Sequence, residues 1–168
     1  MRTDNEYALH IAWTVYKSIH TKWPDLPQPQ RNLARRQCEA LIREAGIRGQ
    51  SSGLISEAAL QSTIKVRQGK AIRLGERVAT EHPITYKVVA LHCLERDQPY
   101  TFEQYVGIWR DTLITTKTTS DENQMLKKMQ TDFQFGDDWK QMYNDAGINL
   151  IDMPSFRTKA AKEKYGLL

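Results

Sequence analysis

Ile84-Thr-Tyr-Lys-Val-Val-Ala-Leu-His-Cys-Leu-Glu-Arg96 is the stretch on which the fold class turns. Its apolar residues Ile84, Tyr86, Val88, Val89, Ala90, Leu91, Cys93 and Leu94 cover the whole circumference of a helical wheel. A segment of that kind is buried on every side. Its β-branched residues also suit a buried strand. Its length exceeds the usual strand of about five or six residues, and helical spacing follows it, so the segment reads as a central buried helix.

Downstream, Thr101-Phe102-Glu103-Gln104 matches a capping box. Phe102, Tyr105, Val106, Trp109 and Leu113 then lie on one amphipathic face. The run 115–120, with Thr at four of six positions, reads as a polar break. Ser120 is the expected cap of the next helix, with Asp121 and Glu122 facing the positive end of its dipole. Leu126, Met129 and Phe133 form its inward stripe, and Gly136-Asp137-Asp138 leads into a short helix bearing Trp139, Met142 and Tyr143. The tail from Pro154 carries Arg157, Lys159, Lys162 and Lys164, in a loosely held helix.

Upstream, His82-Pro83 marks a boundary. Before it, Ser56 is the expected cap of a helix over 56–80, with Leu60, Ile64, Ala71, Leu74 and Val78 inward and Gly69 and Gly75 as weak points. Gly46, Gly49, Ser51, Ser52 and Gly53 read as a flexible linker. A helix from about Arg31 to Ala45 stops at Gly46, with Ile47 as the hydrophobic contact beyond it. Asp145-Ala146-Gly147-Ile148 repeats the Glu44-Ala45-Gly46-Ile47 stop. The first helix, capped by Asp4 or Asn5 and running to about Lys22, is apolar around most of its girth. It ends at the proline-rich 23–29. The expectation is an all-α chain of seven or eight helices without significant sheet. It forms one domain, or a basic lobe over 1–82 and an aromatic-rich, mildly acidic lobe over 83–168.

The 168 residues carry 24 Lys+Arg against 20 Asp+Glu, a formal charge of +4. Residues 1–90 hold 14 against 8, and residues 91–168 hold 10 against 12. No apolar run reaches the ~20 residues of a membrane helix, and residues 1–6 lack the apolar core of a secretory signal. Two cysteines are too few for a disulfide scaffold or a four-thiolate metal site. These features point to a cytoplasmic protein with no membrane partner.

Enzyme signatures are missing from the sequence. His10, His20, His82 and His92 do not form the paired-histidine zinc motif. The glycines of 46–53 lack the Lys-Ser or Lys-Thr of a phosphate-cradling loop. Cys38 and Cys93 fall on apolar helix faces, where cysteine is a small hydrophobe. Asp137-Asp138 reads as first-turn helix acid, and no glycosidase-like carboxylate pair stands out. No catalytic residue, metal ligand or cofactor is expected.

The basic residues carry the functional expectation. Residues 31–77 hold 10 Lys+Arg and 4 Asp+Glu. Arg31, Arg35 and Arg36 on one helix, and Lys65, Arg67, Lys70, Arg73 and Arg77 on the next, are the expected phosphate contacts of a DNA- or RNA-associated regulatory or accessory protein. Leu9, Trp13 and Tyr16 on the girdled first helix are the expected surface for a protein partner or a second copy. The alternative is a protein-binding adaptor or inhibitor that docks an acidic partner or joins a larger complex through its apolar first helix.

Overall fold

A computed structural model describes residues 4–168. Residues 1–3 and the Asp4 side chain, proposed above as a cap, lie outside the described residues. Chain contacts divide the protein into two compact units, each built from two stretches of sequence. The helical unit takes Met1–Gln50 and Ile84–Ile114, and the sheet unit takes Ser51–Pro83 and Thr115–Leu168.

The helical unit holds α1 (Asp4–Lys22), a 3₁₀ turn at Trp23–Asp25, α2 (Gln28–Glu44), α4 (Tyr86–Leu94) and α5 (Phe102–Thr112). The helix expected over 84–96 is therefore present, as α4. The capping box at α5 is also present: Thr101 Oγ1 accepts from Gln104 N–H at 3.3 Å, and Gln104 Oε1 accepts from Thr101 N–H at 3.0 Å. Three prolines end α1, yet α2 begins at Gln28 and includes Pro29 in its first turn. A proline costs nothing there, because a first-turn N–H has no helical acceptor. At the other end Gly46 takes φ 78°, Gly46 N–H bonds Arg43 O at 3.0 Å and Ile47 N–H reaches Ile42 O at 3.3 Å. That pair of bonds is the Schellman stop expected from Glu44-Ala45-Gly46-Ile47.

The core of this unit is aromatic and dense. Tyr16, Tyr105, Trp109, Leu94 and Leu113 are fully buried, and Tyr16 stacks on Tyr105 at 4.5 Å between centroids. A buried phenol needs hydrogen-bond partners. Tyr16 OH donates to Cys93 O at 3.1 Å and accepts from Tyr100 N–H at 2.9 Å. Burial pushes its pKa up to about 12. Cys38 and Cys93 sit in the same core, and burial pushes the Cys38 thiol up to about 12.

The sheet unit overturns the all-α expectation. Its strands are β1 (Gln50–Ser56), β2 (Val78–Glu81), β3 (Ile114–Thr119) and β4 (Leu150–Asp152). They form one mixed sheet in the order β2-β3-β1-β4. With α3 (Glu57–Arg67), α6 (Ser120–Met129), α7 (Trp139–Asp145) and α8 (Lys159–Lys164), the described residues contain eight helices, 58% of the chain, and 12% strand. The count of helices stands, but the absence of sheet does not.

Three expectations fail together, for one physical reason. The supposed Gly/Ser linker is β1, which pairs antiparallel with β4 through Leu54↔Asp152, Ile55↔Ile151 and Ser56↔Leu150. The supposed polar break is β3, which pairs antiparallel with β2 from Val78↔Thr119 to Glu81↔Thr116. The helix expected over 56–80 stops at Arg67. Gly69 takes φ 73° there, and Lys70 N–H closes back on Lys65 O at 2.9 Å. Threonine is polar, but its branched Cβ suits a pleated sheet. The pairing partners come from remote sequence, so periodicity within any one segment does not report them.

The sheet has an apolar layer on each face. Ile55 and Ile151 are register partners and pack with Ala59, Leu60 and Ile64 of α3 and with Phe156 and Tyr165. Leu150 is one residue along β4, hence on the other face, and packs with Leu126 of α6, Met142 and Tyr143 of α7, and Ile148. β1 runs into α3 and β3 runs into α6. Ser56 caps α3, accepting from Ala59 N–H at 3.1 Å. Thr119, one residue before the expected Ser120, caps α6. One carboxylate joins the two caps: Glu122 Oε2 accepts from Ser56 Oγ at 2.6 Å and from Thr119 Oγ1 at 3.0 Å.

Candidate anion-binding cleft

The eight cations singled out in the sequence belong to different units and have different duties. In the helical unit Arg35 is ion-paired with Glu39. The Arg31 guanidinium lies 5.6 Å from the Trp23 ring centroid and donates to Pro24 O at 2.8 Å. Arg36 is exposed. In the sheet unit Lys65 pairs with Glu76 at 2.9 Å and Arg73 approaches the same carboxylate at 3.6 Å. The Arg73 N–H and the Lys65 ammonium hold the Glu76 carboxyl down to about 2. Lys70 and Arg77 are exposed, on the connection beyond α3 rather than on a helix.

Two of the predicted residues line clefts: Arg31 shares one of about 600 Å³ in the helical unit with Arg96, Glu95 and Asp97, and Arg67 lines one in the sheet unit. A cleft of about 360 Å³ in the sheet unit is lined by Arg67, Lys117, Arg157, Ser155 and Phe156, over a floor that includes Ile55 and Val78. No Asp or Glu is among the described residues lining it. Each cation is delivered by a different element. Arg67 ends α3, and its guanidinium lies over the Phe156 ring at 4.5 Å. Lys117 stands mid-β3, cross-strand from Thr80, and its Nζ donates to Thr80 Oγ1 at 2.6 Å. Arg157 follows β4, and its N–H donates to Ser155 Oγ at 3.4 Å. Stacking on an aromatic face fixes the guanidinium plane and leaves its N–H edge for an oxyanion. Ser155 Oγ, as the acceptor in that turn, keeps its own proton to donate.

Sequence reasoning missed Lys117 and gave Arg157 only a place in the tail. The available signal was the alternation Thr116-Lys117-Thr118, which is buried, half-buried, buried in the structure. That period of two marks a strand with Lys117 on the face opposite its neighbours.

The opposite face of the sheet carries a buried polar cluster beside its apolar layer. Glu81 is 4% exposed and accepts hydrogen bonds from Tyr143 OH and Gln130 Nε2. Burial raises its carboxyl above the ordinary range, against the pull of those two donors. Elsewhere in this unit Asp132, Asp137, Asp138 and Asp145 border a shallow depression with Met129 and Phe133. Asp138 caps α7, and Asp137 accepts from Gln134 N–H at 2.7 Å. Among the described residues no group of three or more His, Cys, Asp or Glu is arranged to hold a metal ion.

The expected partner face on α1 is redistributed. Leu9 and Tyr16 are 3% and 0% exposed, inside the core of their own unit, and Trp13 Nε1 donates to Tyr100 O at 3.0 Å. The apolar side chains that α1 leaves exposed are Tyr7, at 66%, and Ile11, at 44%. No helix among the described residues is long and apolar enough to cross a membrane.

No protein-family model, curated protein or solved structure matches this chain.

Proposed function

We propose that the protein is a non-enzymatic, cytoplasmic nucleic-acid-associated regulatory or accessory factor, and that the sheet-unit cleft is where it holds phosphate. The observation that supports this reading is the convergence of Arg67, Lys117 and Arg157 on one concavity without a lining carboxylate. Three cations gathered in one concavity with no lining carboxylate repel one another and together favour an anion. Exposed Lys70 and Arg77 lie on the α3–β2 connection of the same unit and add positive charge for a flanking backbone.

The test is fluorescence anisotropy with single-stranded and duplex DNA and RNA probes across a salt series. Binding weakens as salt rises, and Arg67→Glu combined with Arg157→Glu lowers affinity at least tenfold. Affinity that ignores salt, or survives both reversals, contradicts the reading. A second reading rests on Tyr7 and Ile11, which border a shallow depression with His10, Thr14 and Val15. In it α1 docks a protein partner or a second copy, and the chain is an adaptor. Stable co-purification of one protein that Ile11→Asp abolishes, with no nucleic-acid binding at low salt, selects it.

A further inference from the structure

We infer that the cleft selects a phosphate monoester, the terminal phosphate of a strand or of a free nucleotide, over the internal phosphodiester of a nucleic-acid backbone. The inference rests on the phosphate-binding reading above and deepens it. Charge supplies the first argument. Arg67, Lys117 and Arg157 bring three positive charges to the cleft, and no carboxylate among the described lining residues offsets them. A phosphodiester carries a single negative charge, whereas a monoester carries about 1.5 to 2 near neutral pH and presents three terminal oxygens rather than two. The monoester therefore matches both the charge and the number of donor groups better.

Shape supplies the second argument. A duplex or a continuous strand offers its phosphates along a convex, running surface, which a flat basic stripe reads. Here the cations line a concavity of about 360 Å³, at the small end of the range for sites that enclose a small ligand, about 300–1,000 Å³. Such a cavity admits an end, or a single nucleotide, more readily than a strand passing through. The donors are also held in advance. Phe156 fixes the Arg67 plane, Thr80 tethers the Lys117 ammonium, and Ser155 keeps a hydroxyl proton beside Arg157. A planar bidentate donor, a point charge and a hydroxyl form a set that satisfies several oxygens of one phosphate. Ile55 and Phe156 give the cleft an apolar side, while Arg67, Ser155 and Arg157 stay open to an incoming ligand.

The experiment compares oligonucleotides of one sequence carrying a 5′-phosphate, a 3′-phosphate or only hydroxyl ends, by anisotropy with the full chain. Nucleoside monophosphate and the unphosphorylated nucleoside serve as competitors. One phosphorylated end binds at least tenfold tighter than the hydroxyl-ended strand, and Arg67→Gln, Lys117→Gln or Arg157→Gln removes most of that difference while the thermal midpoint stays near that of the native chain. Displacement by the monophosphate alone at the same concentration identifies a free nucleotide as the ligand. Displacement only by the phosphorylated strand identifies a strand end. Equal, salt-sensitive, Arg67-dependent binding of all three strands overturns the selection and leaves the nucleic-acid reading standing. Binding of the monophosphate without binding of any strand supports the selection and overturns that reading. Binding of neither overturns both.

Discussion

The two units solve the burial problem with different materials. The helical unit closes over aromatic rings: Tyr16, Tyr105 and Trp109 are fully buried, and the Tyr16 hydroxyl is satisfied by backbone groups of Cys93 and Tyr100. The sheet unit buries Ser56, Ser62, Glu81, Thr116, Thr118 and Thr119, with small apolar clusters on either face of four short strands. Their net charges are the same. The helical unit holds 11 Lys+Arg and 9 Asp+Glu, and the sheet unit 13 and 11, so each is +2. The imbalance between the halves of the sequence disappears when charge is counted by unit. Local arrangement distinguishes the two: the sheet-unit cleft has three cations and no carboxylate among its described lining residues, whereas the helical-unit cleft that holds Arg31 and Arg96 is also lined by Glu95 and Asp97, and Arg35 is paired with Glu39.

The largest effect should come from the aromatic core. Trp109→Ala removes a fully buried ring and is expected to cost about 3–5 kcal/mol, read as a loss of the denaturation midpoint and of amide protection in α4 and α5. A variant within 1 kcal/mol of the native chain, on the scale of about 0.5 kcal/mol typical of surface changes, would mean that this core is not what holds the helical unit.

Next in size is the buried polar cluster around Glu81. Tyr143→Phe takes one of two donors from a carboxylate that is 4% exposed, a loss of about 1–3 kcal/mol. The pH dependence has a definite sign. Burial raises the Glu81 pKa above its unfolded value, so the folded state holds the proton more tightly. Its contribution to stability is therefore most favourable below the ordinary carboxylate pKa and declines as pH rises through the raised one. Glu81→Gln should flatten that decline in melts collected from pH 4 to 8. A native-like decline in the variant assigns the effect to another group.

A smaller loss is expected at the cap shared by the central strands. Ser56→Ala leaves Ala59 N–H without its acceptor and removes one of the hydroxyls on Glu122, at about 1–2 kcal/mol. The smallest changes sharpen the comparison of cations. Lys65→Gln touches a charge already paired with Glu76, and Arg36→Gln touches an exposed charge of the other unit. Both should leave phosphate affinity within about twofold, well under the 1.4 kcal/mol of a tenfold change. A tenfold loss at either would move the site away from the cleft.

The same contrast explains what the sequence revealed. Signals that act within one turn of helix were legible: the 84–96 helix, the Thr101–Gln104 box, and the Gly46 and Gly147 stops, where Ile148 N–H meets Tyr143 O at 2.9 Å. Each depends on residues three to six apart. The sheet depends on pairings such as Ile55↔Ile151 and Glu81↔Thr116. Its central strands are written in Ser, Gly and Thr, which read as linker or break when taken alone. The site followed the sheet. Arg67 is legible because it sits on a helix, whereas Lys117 is hidden with its strand and Arg157 lies in a tail whose fold depends on Phe156 and Tyr165 packing under α3.

The most direct test of the cleft is a titration of a short 5′-phosphorylated oligonucleotide into the isotopically labelled chain, followed by amide and side-chain chemical shifts. The account predicts saturable shifts at Arg67, Lys117, Ser155 and Arg157, with Arg31, Arg35 and Arg36 unmoved. Shifts confined to α2, or saturation that leaves the Arg67, Lys117 and Arg157 signals in place, would contradict it.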